Sequence, residues 1–171
     1  MKISNLWQDI INRMKKTVLI TGATSGIGKA TAQIFARNHY KIIICGRRKE
    51  RLTELEKELS EYTEVHSLSF DVRDKNAVFE CINSLPEYFS KIDVLINNAG
   101  NAHGLDPIQN GNVEDWDAMI DINVKGLLYV SKAIIPQMVE RESGHIINIG
   151  STAGKEVYAN GNVYCGSNNA Q

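Results

Sequence analysis

From residue 17 onward, two hydrophobic patterns alternate along the chain. Short apolar and β-branched runs, such as TVLIT at 17–21 and KIIIC at 41–45, are followed by longer segments whose apolar residues recur at helical spacing. The short runs predict strands, and the longer segments predict amphipathic helices. This alternation is typical of βαβ units, which build parallel sheets.

The pattern predicts five strands and at least four helices. The predicted strands cover residues 17–21, 41–45, 64–70, 92–97 and 145–150. The predicted helices cover residues 27–38, 49–61, 75–85 and 113–141. The strands are apolar throughout, which indicates helices on both faces of the sheet. We therefore expect an α/β domain over residues 15–171 with a doubly wound, Rossmann-like parallel sheet, and we expect Pro136 to bend the last helix or remove one of its hydrogen bonds.

The first fourteen residues, MKISNLWQDIINRM, form a separate segment. Their apolar residues follow helical spacing, which predicts a short amphipathic helix. They contain neither the long apolar stretch nor the cleavage site of a secretory signal, so export is not expected. The alternative is a dispensable leader, because Met14 followed by KKTVLITG would itself be a normal chain start.

Composition narrows the range of partners. The chain has 171 residues, which suits one domain, and its 19 Lys and Arg nearly balance 20 Asp and Glu. This balance gives no reason to expect nucleic acid or a membrane as a partner, and the longest apolar runs are far shorter than the roughly 18 residues of a membrane span. The three cysteines and four histidines show no metal-ligand spacing, so we expect no metal site and reduced thiols in a cytoplasmic protein.

A glycine-rich turn joins the first strand to the first helix. In TGATSGIG, residues 21–28, glycines stand at positions 22, 26 and 28. Glycine allows the backbone to turn tightly and to approach a pyrophosphate, whose charge the helix N-terminus stabilises. The turn therefore predicts a dinucleotide site.

The end of the second strand indicates which dinucleotide. An acidic residue there would accept a hydrogen bond from the ribose 2′-hydroxyl of NAD, but here Gly46 is followed by Arg47 and Arg48. Guanidinium groups suit a 2′-phosphate, so NADP is favoured over NAD. The alternative is that both arginines are solvated residues at the start of a charged helix.

Several motifs in a fixed order carry a family resemblance. They are TGATSGIG, NNAG at 97–100, Asn123 in DINVKG, Ser151 in NIGSTAG, and Tyr164 thirteen residues after that serine. Together they resemble the short-chain dehydrogenase/reductase family over residues 15–167. The resemblance implies an NADP-dependent oxidoreductase that transfers a hydride between its cofactor and a small-molecule hydroxyl or carbonyl substrate.

The resemblance also implies a role for individual residues. The cofactor phosphates would be lined by Gly22, Ser25, Gly26, Ile27 and Gly28. The 2′-phosphate would be held by Arg47 and Arg48, and the adenine would be bordered by Asp71 and Val72. The ribose next to the nicotinamide would lie over Asn98, Ala99 and Gly100.

The same resemblance implies a catalytic set. Ser151 would hydrogen-bond the substrate oxygen, Tyr164 would exchange its proton, and Asn123 would hold a water in the proton relay. The stretches NVYCGS, GRRKERL and GNAHGLDPIQ resemble most the branch that oxidises 3-hydroxy acids, including serine and allo-threonine, with NADP. Relatives usually form homodimers or homotetramers through the helices that flank the serine strand.

The chain departs from the family after Tyr164. The family has a lysine four residues after this tyrosine, where this chain has Asn168, and neutral Asn168 cannot favour a phenolate as a cation would. The chain ends at Gln171, whereas the family continues with a sixth strand, a substrate-covering helix and a seventh strand. A second hypothesis is therefore a truncated, catalytically inactive dinucleotide-binding fragment, with NNAQ as a stray ending and the fifth strand at an uncovered edge. A natural short member that needs no lysine is the remaining alternative.

Overall fold

Five parallel strands form one sheet in the computed structural model, which describes residues 15–171. The predicted leader or amphipathic helix at residues 1–14 lies outside the described residues. The strands are β1 (Thr17–Ile20), β2 (Lys41–Gly46), β3 (Val65–Ser69), β4 (Val94–Asn97) and β5 (His145–Asn148). Their order across the sheet is β3-β2-β1-β4-β5, and each neighbouring pair is parallel. The predicted doubly wound α/β class is confirmed.

The strands are connected through helices. These are α1 (Gly26–Arg37), α2 (Lys49–Leu59), α3 (Lys75–Asn83), the short α4 (Glu87–Ser90), α5 (Val113–Met119), α6 (Leu127–Glu140) and α7 (Asn162–Asn169). Single turns of 3₁₀-helix occupy Ile108–Asn110 and Thr152–Gly154. None of the helices within residues 15–171 is both long and apolar enough to cross a membrane.

Alternate residues of each inner strand supply two cores, one on each face of the sheet. Leu19 of β1 packs with residues of α3 and α6 on one face. Its neighbours Val18 and Ile20 pack with residues of α1 and α2 on the other face. Because side chains alternate along a strand, strands that are apolar at every position are buried on both faces, as β1 is.

The stretch predicted as one helix over residues 113–141 is interrupted. Between α5 and α6 the backbone forms a π-helix over Ile120–Gly126, whose wider turns break the regular helical pattern. A methyl group on Gly126 would come within 2.7 Å of Val72 Cγ2, so the end of the interruption packs closely against the loop after β3. Helix α6 continues through Pro136 to Glu140, so the interruption lies upstream of the proline at which a bend or a lost hydrogen bond was expected.

Strand β5 lies at one edge of the sheet, as predicted. Only β4 pairs with it among the described strands, and Ile146 keeps 39% of its surface exposed.

The three cysteines agree in part with the expectation of buried, reduced thiols. All three are free, and Cys45 and Cys165 are buried, but Cys81 is only half-buried.

Candidate nucleotide and active site

The candidate site lies between β1 and β4, where the strand order across the sheet changes direction. Strands β1 and β4 are neighbours, but β1 continues into α1 on one face and β4 leads towards α6 on the other. In open parallel sheets the crevice at the carboxyl ends of two such strands is the usual place for a ligand. The glycine turn after β1 and the NNAG motif after β4 meet there.

Hydrogen bonds between these two segments fix the floor of the crevice. The Thr21 hydroxyl accepts hydrogen bonds from the backbone N–H groups of Asn98 and Ala99, both at 3.0 Å. The Asn98 amide donates to the carbonyl oxygens of Thr21 at 2.9 Å and Gly22 at 3.1 Å. The side chain of Asn98 is therefore used to hold the glycine turn in place.

The glycine turn leaves the start of α1 open. Gly22 has a φ of +64°, a left-handed conformation that favours glycine. Ser25 is the N-cap of α1, but its side chain makes no capping hydrogen bond, and the first turn of the helix contains no acidic residue. The N–H groups at this end are thus available to an anion, which the helix dipole also favours.

Gly28 is closely packed at the start of α1. It is buried, and a methyl group at this position would lie 2.4 Å from both the Gly22 carbonyl oxygen and the Asn98 amide nitrogen. Glycine is therefore required for close packing of α1 against the turn. Gly28 is not among the residues that line the cleft, and its predicted contact with the phosphates stays a prediction.

The other predicted cofactor residues line a single cleft of about 450 Å³. The predicted residues on its wall are Gly22, Ser25, Gly26, Ile27, Arg47, Arg48, Asp71, Val72, Asn98, Ala99 and Gly100. They come from the ends of four different strands, which the parallel order of the sheet brings to one edge.

Two arginines stand at one end of the cleft. The Arg48 guanidinium donates to the Thr24 hydroxyl at 3.1 Å and so connects the end of β2 to the glycine turn. Arg47 Nη1 lies 3.7 Å from Asp71 Oδ2, and the Arg47 side chain is 62% exposed. Arg47 therefore presents its charge to the solvent-filled cleft.

Asp71 is held mainly by a third arginine. Arg73 Nε lies 3.1 Å from Asp71 Oδ1, and Arg73 Nη2 lies 2.7 Å from Oδ2. Burial alone would raise the pKa of Asp71, but the hydrogen bonds from Arg73 and the charges of Arg73 and Arg47 keep it below its usual value. Asp71 is thus an ionised carboxylate at the rim of the cleft.

These features fit a dinucleotide with an extra phosphate. The open helix end and the glycine turn suit a pyrophosphate, and the arginines bring guanidinium groups, which suit a further phosphate, to the same cleft. Within residues 15–171, no group of three or more His, Cys, Asp and Glu side chains is placed to bind a metal ion.

Asn123 is buried in the π-helix and connects three segments. Its Oδ1 accepts from the backbone N–H of Asn101 at 2.9 Å, and its Nδ2 donates to the Asn101 carbonyl at 2.9 Å. The same Nδ2 lies 3.0 Å from the Ser167 hydroxyl in α7. Asn123 thereby joins the end of the NNAG loop to the helix that carries Tyr164.

The other two catalytic candidates are held less tightly. Ser151 follows β5, and its hydroxyl accepts from the Ala153 N–H at 3.2 Å, so it caps its own short turn. Tyr164 is half-buried in α7, which packs against that turn. Among the residues described, no hydrogen bond joins the two hydroxyl groups.

Asn168, at the family's lysine position, bonds to its own helix. Its amide donates to the Tyr164 carbonyl oxygen at 2.9 Å. The side chain therefore satisfies a backbone acceptor near the end of α7 and brings no positive charge to the Tyr164 ring.

Several residues of the cleft were not predicted. They are Thr24, Cys45, Gly46, Phe70, Asn101 and Ile122. Thr24 could have been suspected, because it is a hydroxyl residue inside the glycine turn. Cys45 and Phe70 follow the apolar pattern of buried strands, and nothing in that pattern distinguishes a cleft wall from a core.

Comparisons with known proteins agree with this geometry. The family model described as short chain dehydrogenase matches residues 16–170. The chain is 54% identical over 147 residues to NADP-dependent 3-hydroxy acid dehydrogenase YdfG of Salmonella typhi, covering 86% of this chain and 58% of the relative. It is 47% identical over 152 residues to sulfoacetaldehyde reductase 2 of Chromohalobacter salexigens, covering 88% of this chain and 60% of the relative.

Solved structures show the same fold. A closed form of serine dehydrogenase complexed with NADP⁺ superposes with a TM-score of 0.84 at 49% identity, covering 90% of this chain and 61% of the other. An NAD⁺-bound xylitol dehydrogenase superposes with a TM-score of 0.86 at 35% identity, covering 91% of this chain and 60% of the other. The chain therefore spans about three fifths of the length of the relatives it matches. On the motifs, the fold and the match over residues 16–170, the chain belongs to the short chain dehydrogenase family.

Proposed function

We propose that this chain binds NADP(H) in the cleft described above and serves hydride transfer between a hydroxyl and a carbonyl group. The observation that carries the proposal is the pair of arginines at the end of β2. Arg47 and Arg48 line the cleft, and Asp71, the acidic residue among the described residues that line it, is paired with Arg73. A 2′-phosphate would meet cations there, whereas an acid suited to a 2′-hydroxyl is absent from the end of this strand.

The choice of cofactor must lie in side chains, because the fold itself serves both nucleotides. The related serine dehydrogenase was solved with NADP⁺ and the related xylitol dehydrogenase with NAD⁺. Both superpose on this chain with nearly equal TM-scores. The arginines are thus a better guide to the nucleotide than the backbone is.

Each part of the cleft would hold one part of the nucleotide. The open start of α1, with Ser25, Gly26 and Ile27, would bind the pyrophosphate. Val72 would border the adenine, and the loop held by Asn98 would support the ribose next to the nicotinamide. When bound, the nicotinamide would supply the acceptor or donor of the hydride.

For the substrate, we propose a 3-hydroxy acid. The relative with 54% identity is named for NADP-dependent oxidation of this class. In the proposed reaction Ser151 would orient the substrate oxygen, Tyr164 would take or give its proton, and Asn123 would position the relay through its contacts to the NNAG loop and α7. The proposal extends to residues 15–171 acting as one dinucleotide-binding domain of a cytoplasmic protein.

One observation favours a second candidate function, nucleotide binding without turnover. A tyrosine can act as a base near neutral pH only if a neighbouring group favours the phenolate. At the expected position Asn168 is neutral, and its amide is bonded to the Tyr164 carbonyl. The phosphate turn and the arginines are unaffected by this change, so binding and catalysis can separate in this chain.

Calorimetric titration with NADPH and NADH tests the proposed function. A charge-assisted contact is worth about 1.5–3 kcal/mol, so we expect NADPH to bind roughly tenfold or more tightly than NADH. Arg47→Asp should remove or reverse this preference. Arg51→Asp, at an exposed arginine of α2 that does not line the cleft, is the matched control and should keep the preference. Equal affinities in the unmodified protein would refute the assignment of the arginines.

A further inference from the structure

Asp71 raises a question about the arginine end of the cleft, because a carboxylate beside a phosphate site should weaken it. Asp71 Oδ2 lies 3.7 Å from Arg47 Nη1, within the range at which opposite charges attract each other. A bare carboxylate here would attract the Arg47 guanidinium and repel a phosphate. Whether the Arg47 guanidinium can bind a phosphate therefore depends on a third charged group that offsets the charge of Asp71.

Arg73 is placed to be that group. Its guanidinium contacts both carboxylate oxygens of Asp71, with Nε at 3.0 Å and Nη2 at 2.7 Å from Oδ2. Its backbone N–H also donates to Asp71 Oδ1 at 3.0 Å. The longer Arg47 contact of 3.7 Å is outside ordinary hydrogen-bond distance, so Arg73 holds the carboxylate and Arg47 only lies near it.

We propose that Arg73 is a positioning residue for the 2′-phosphate of NADP: by pairing with Asp71 it leaves the Arg47 guanidinium to the phosphate. This inference rests on the proposed function, since it assumes that the arginine end of the cleft receives the nucleotide. Arg73 itself does not line the cleft, so its effect on the nucleotide passes through Asp71.

Neutralisation of Asp71 by a proton is not an alternative route. Its pKa is held below the usual value although burial opposes ionisation, and the hydrogen bonds from Arg73 are the main cause. The carboxylate stays charged at neutral pH, and only a cation can offset it. Within residues 15–171, the cations within 4 Å of this carboxylate are Arg73 at 2.7 Å and Arg47 at 3.7 Å.

The charges around Asp71 predict that loss of Arg73 lowers the affinity for NADPH but not the affinity for NADH. Without Arg73, Asp71 would have Arg47 as its remaining contact, and the local positive charge facing the phosphate would fall. NADPH carries the 2′-phosphate and would lose affinity, whereas NADH would not. A purely structural role for Arg73 in the loop after β3 would weaken both nucleotides equally.

The test measures dissociation constants of NADPH and NADH by calorimetry for four proteins: unmodified, Arg73→Gln, Asp71→Asn and the double variant. Because exposed charge pairs have modest effects, we expect Arg73→Gln to weaken NADPH binding about fivefold and NADH binding less than about twofold. The double variant should recover most of the preference for NADPH over NADH, because the uncompensated carboxylate is gone, whereas loss of an adenine contact of Asp71 would affect both nucleotides alike. The NADPH effect of Arg73→Gln should also shrink as salt screens the charges.

Two further variants keep the result interpretable. Arg73→Lys retains the charge without the paired geometry and should keep most of the NADPH preference. Arg37→Gln removes a charge at the exposed end of α1, away from the cleft, and should change neither affinity. Equal weakening of both nucleotides by Arg73→Gln, or no recovery in the double variant, would overturn the inference while leaving the proposed function in place. Failure of the unmodified protein to bind either nucleotide would overturn both.

Discussion

The sheet contains one strand pair that water cannot reach and one strand that water reaches easily. Every residue of β1 is buried, and β2 is buried from Lys41 to Cys45. In β5, by contrast, His145, Ile146 and Asn148 are exposed. The loops that follow the buried strands β1 and β2 line the nucleotide cleft. Ser151 follows the exposed strand β5.

The chemistry divides along the same line. On the nucleotide side, Thr21 and Asn98 use their side chains to join two loops that are far apart in sequence. On the catalytic side, Ser151 and Asn168 bond within their own turn and helix. The comparison teaches that side chains reaching between the loops after β1 and β4 hold the floor of the nucleotide cleft, whereas Ser151 and Asn168 are held locally and Asn123 connects the two sides.

The largest expected effect concerns turnover. We expect no measurable oxidation of 3-hydroxy acids or reduction of 3-oxo acids and ketones by this chain, because Asn168 provides no cation for Tyr164. A chimera that carries Asn168→Lys and continues with the part of the related Salmonella typhi dehydrogenase beyond the match should be faster by roughly 10² to 10⁴, the usual value of acid–base assistance. The absorbance of NADPH follows the reaction.

Asn168→Lys alone is the control for that experiment, and we expect it to remain far below the chimera. Turnover by the unmodified chain within about tenfold of the chimera, too small a gap for a lost acid–base partner, would show that another group activates Tyr164. The contrast between a nucleotide side held by contacts across the sheet and a Tyr164 with no cation from Asn168 would then not predict activity.

The next effect compares one isoleucine from each region. Ile43 in β2 is fully buried, and Ile146 in β5 is 39% exposed. Ile43→Ala should lower the free energy of unfolding by about 2–5 kcal/mol, because it leaves a cavity in the core. Ile146→Ala should lower it by less than about 1 kcal/mol. Urea denaturation followed by circular dichroism measures both, and similar losses would mean that β5 is covered in solution.

The smallest effect compares two helix glycines. Gly28→Ala places a methyl group 2.4 Å from the Gly22 carbonyl oxygen and should destabilise the protein by about 1–3 kcal/mol. Gly166 in α7 has open space around it, and Gly166→Ala should instead stabilise by about 0.5–1 kcal/mol. Thermal unfolding distinguishes the two, and a neutral Gly28→Ala variant would show that α1 can move away from the turn.

The hydrophobic pattern predicted the strands well but not where they begin. The fourth strand was expected from residue 92, but β4 starts at Val94. Asp93 keeps backbone hydrogen bonds to Thr17 and His145 of the two neighbouring strands. The Ile92 N–H, by contrast, donates to Gln137 Oε1, and the Ile92 carbonyl oxygen accepts from the Arg141 guanidinium. These side chains are distant in sequence, so apolar spacing alone could not show that they take the backbone out of strand pairing.

The same reason explains what was missed in the site. The glycine turn, the arginines and NNAG were predicted because each is a local motif. The bond from Arg48 to Thr24 spans 24 residues and exists only because β1 and β2 are neighbours. The Arg73 contact is only two residues away from Asp71, but its effect depends on Arg47, which the fold brings alongside.

The central position of β1 also has a consequence in time. On one side of β1, Thr17 pairs with Lys41 of β2, which is near in sequence. On the other side, Val18 pairs with Val94 of β4, which is far along the chain. Contacts this far apart in sequence form slowly, and a chain emerging from the ribosome has its first strands long before its fourth. The Thr21 hydroxyl, which accepts a hydrogen bond from Asn98 across 77 residues, therefore has no partner until β4 has been synthesised, and the floor of the nucleotide cleft cannot form before then.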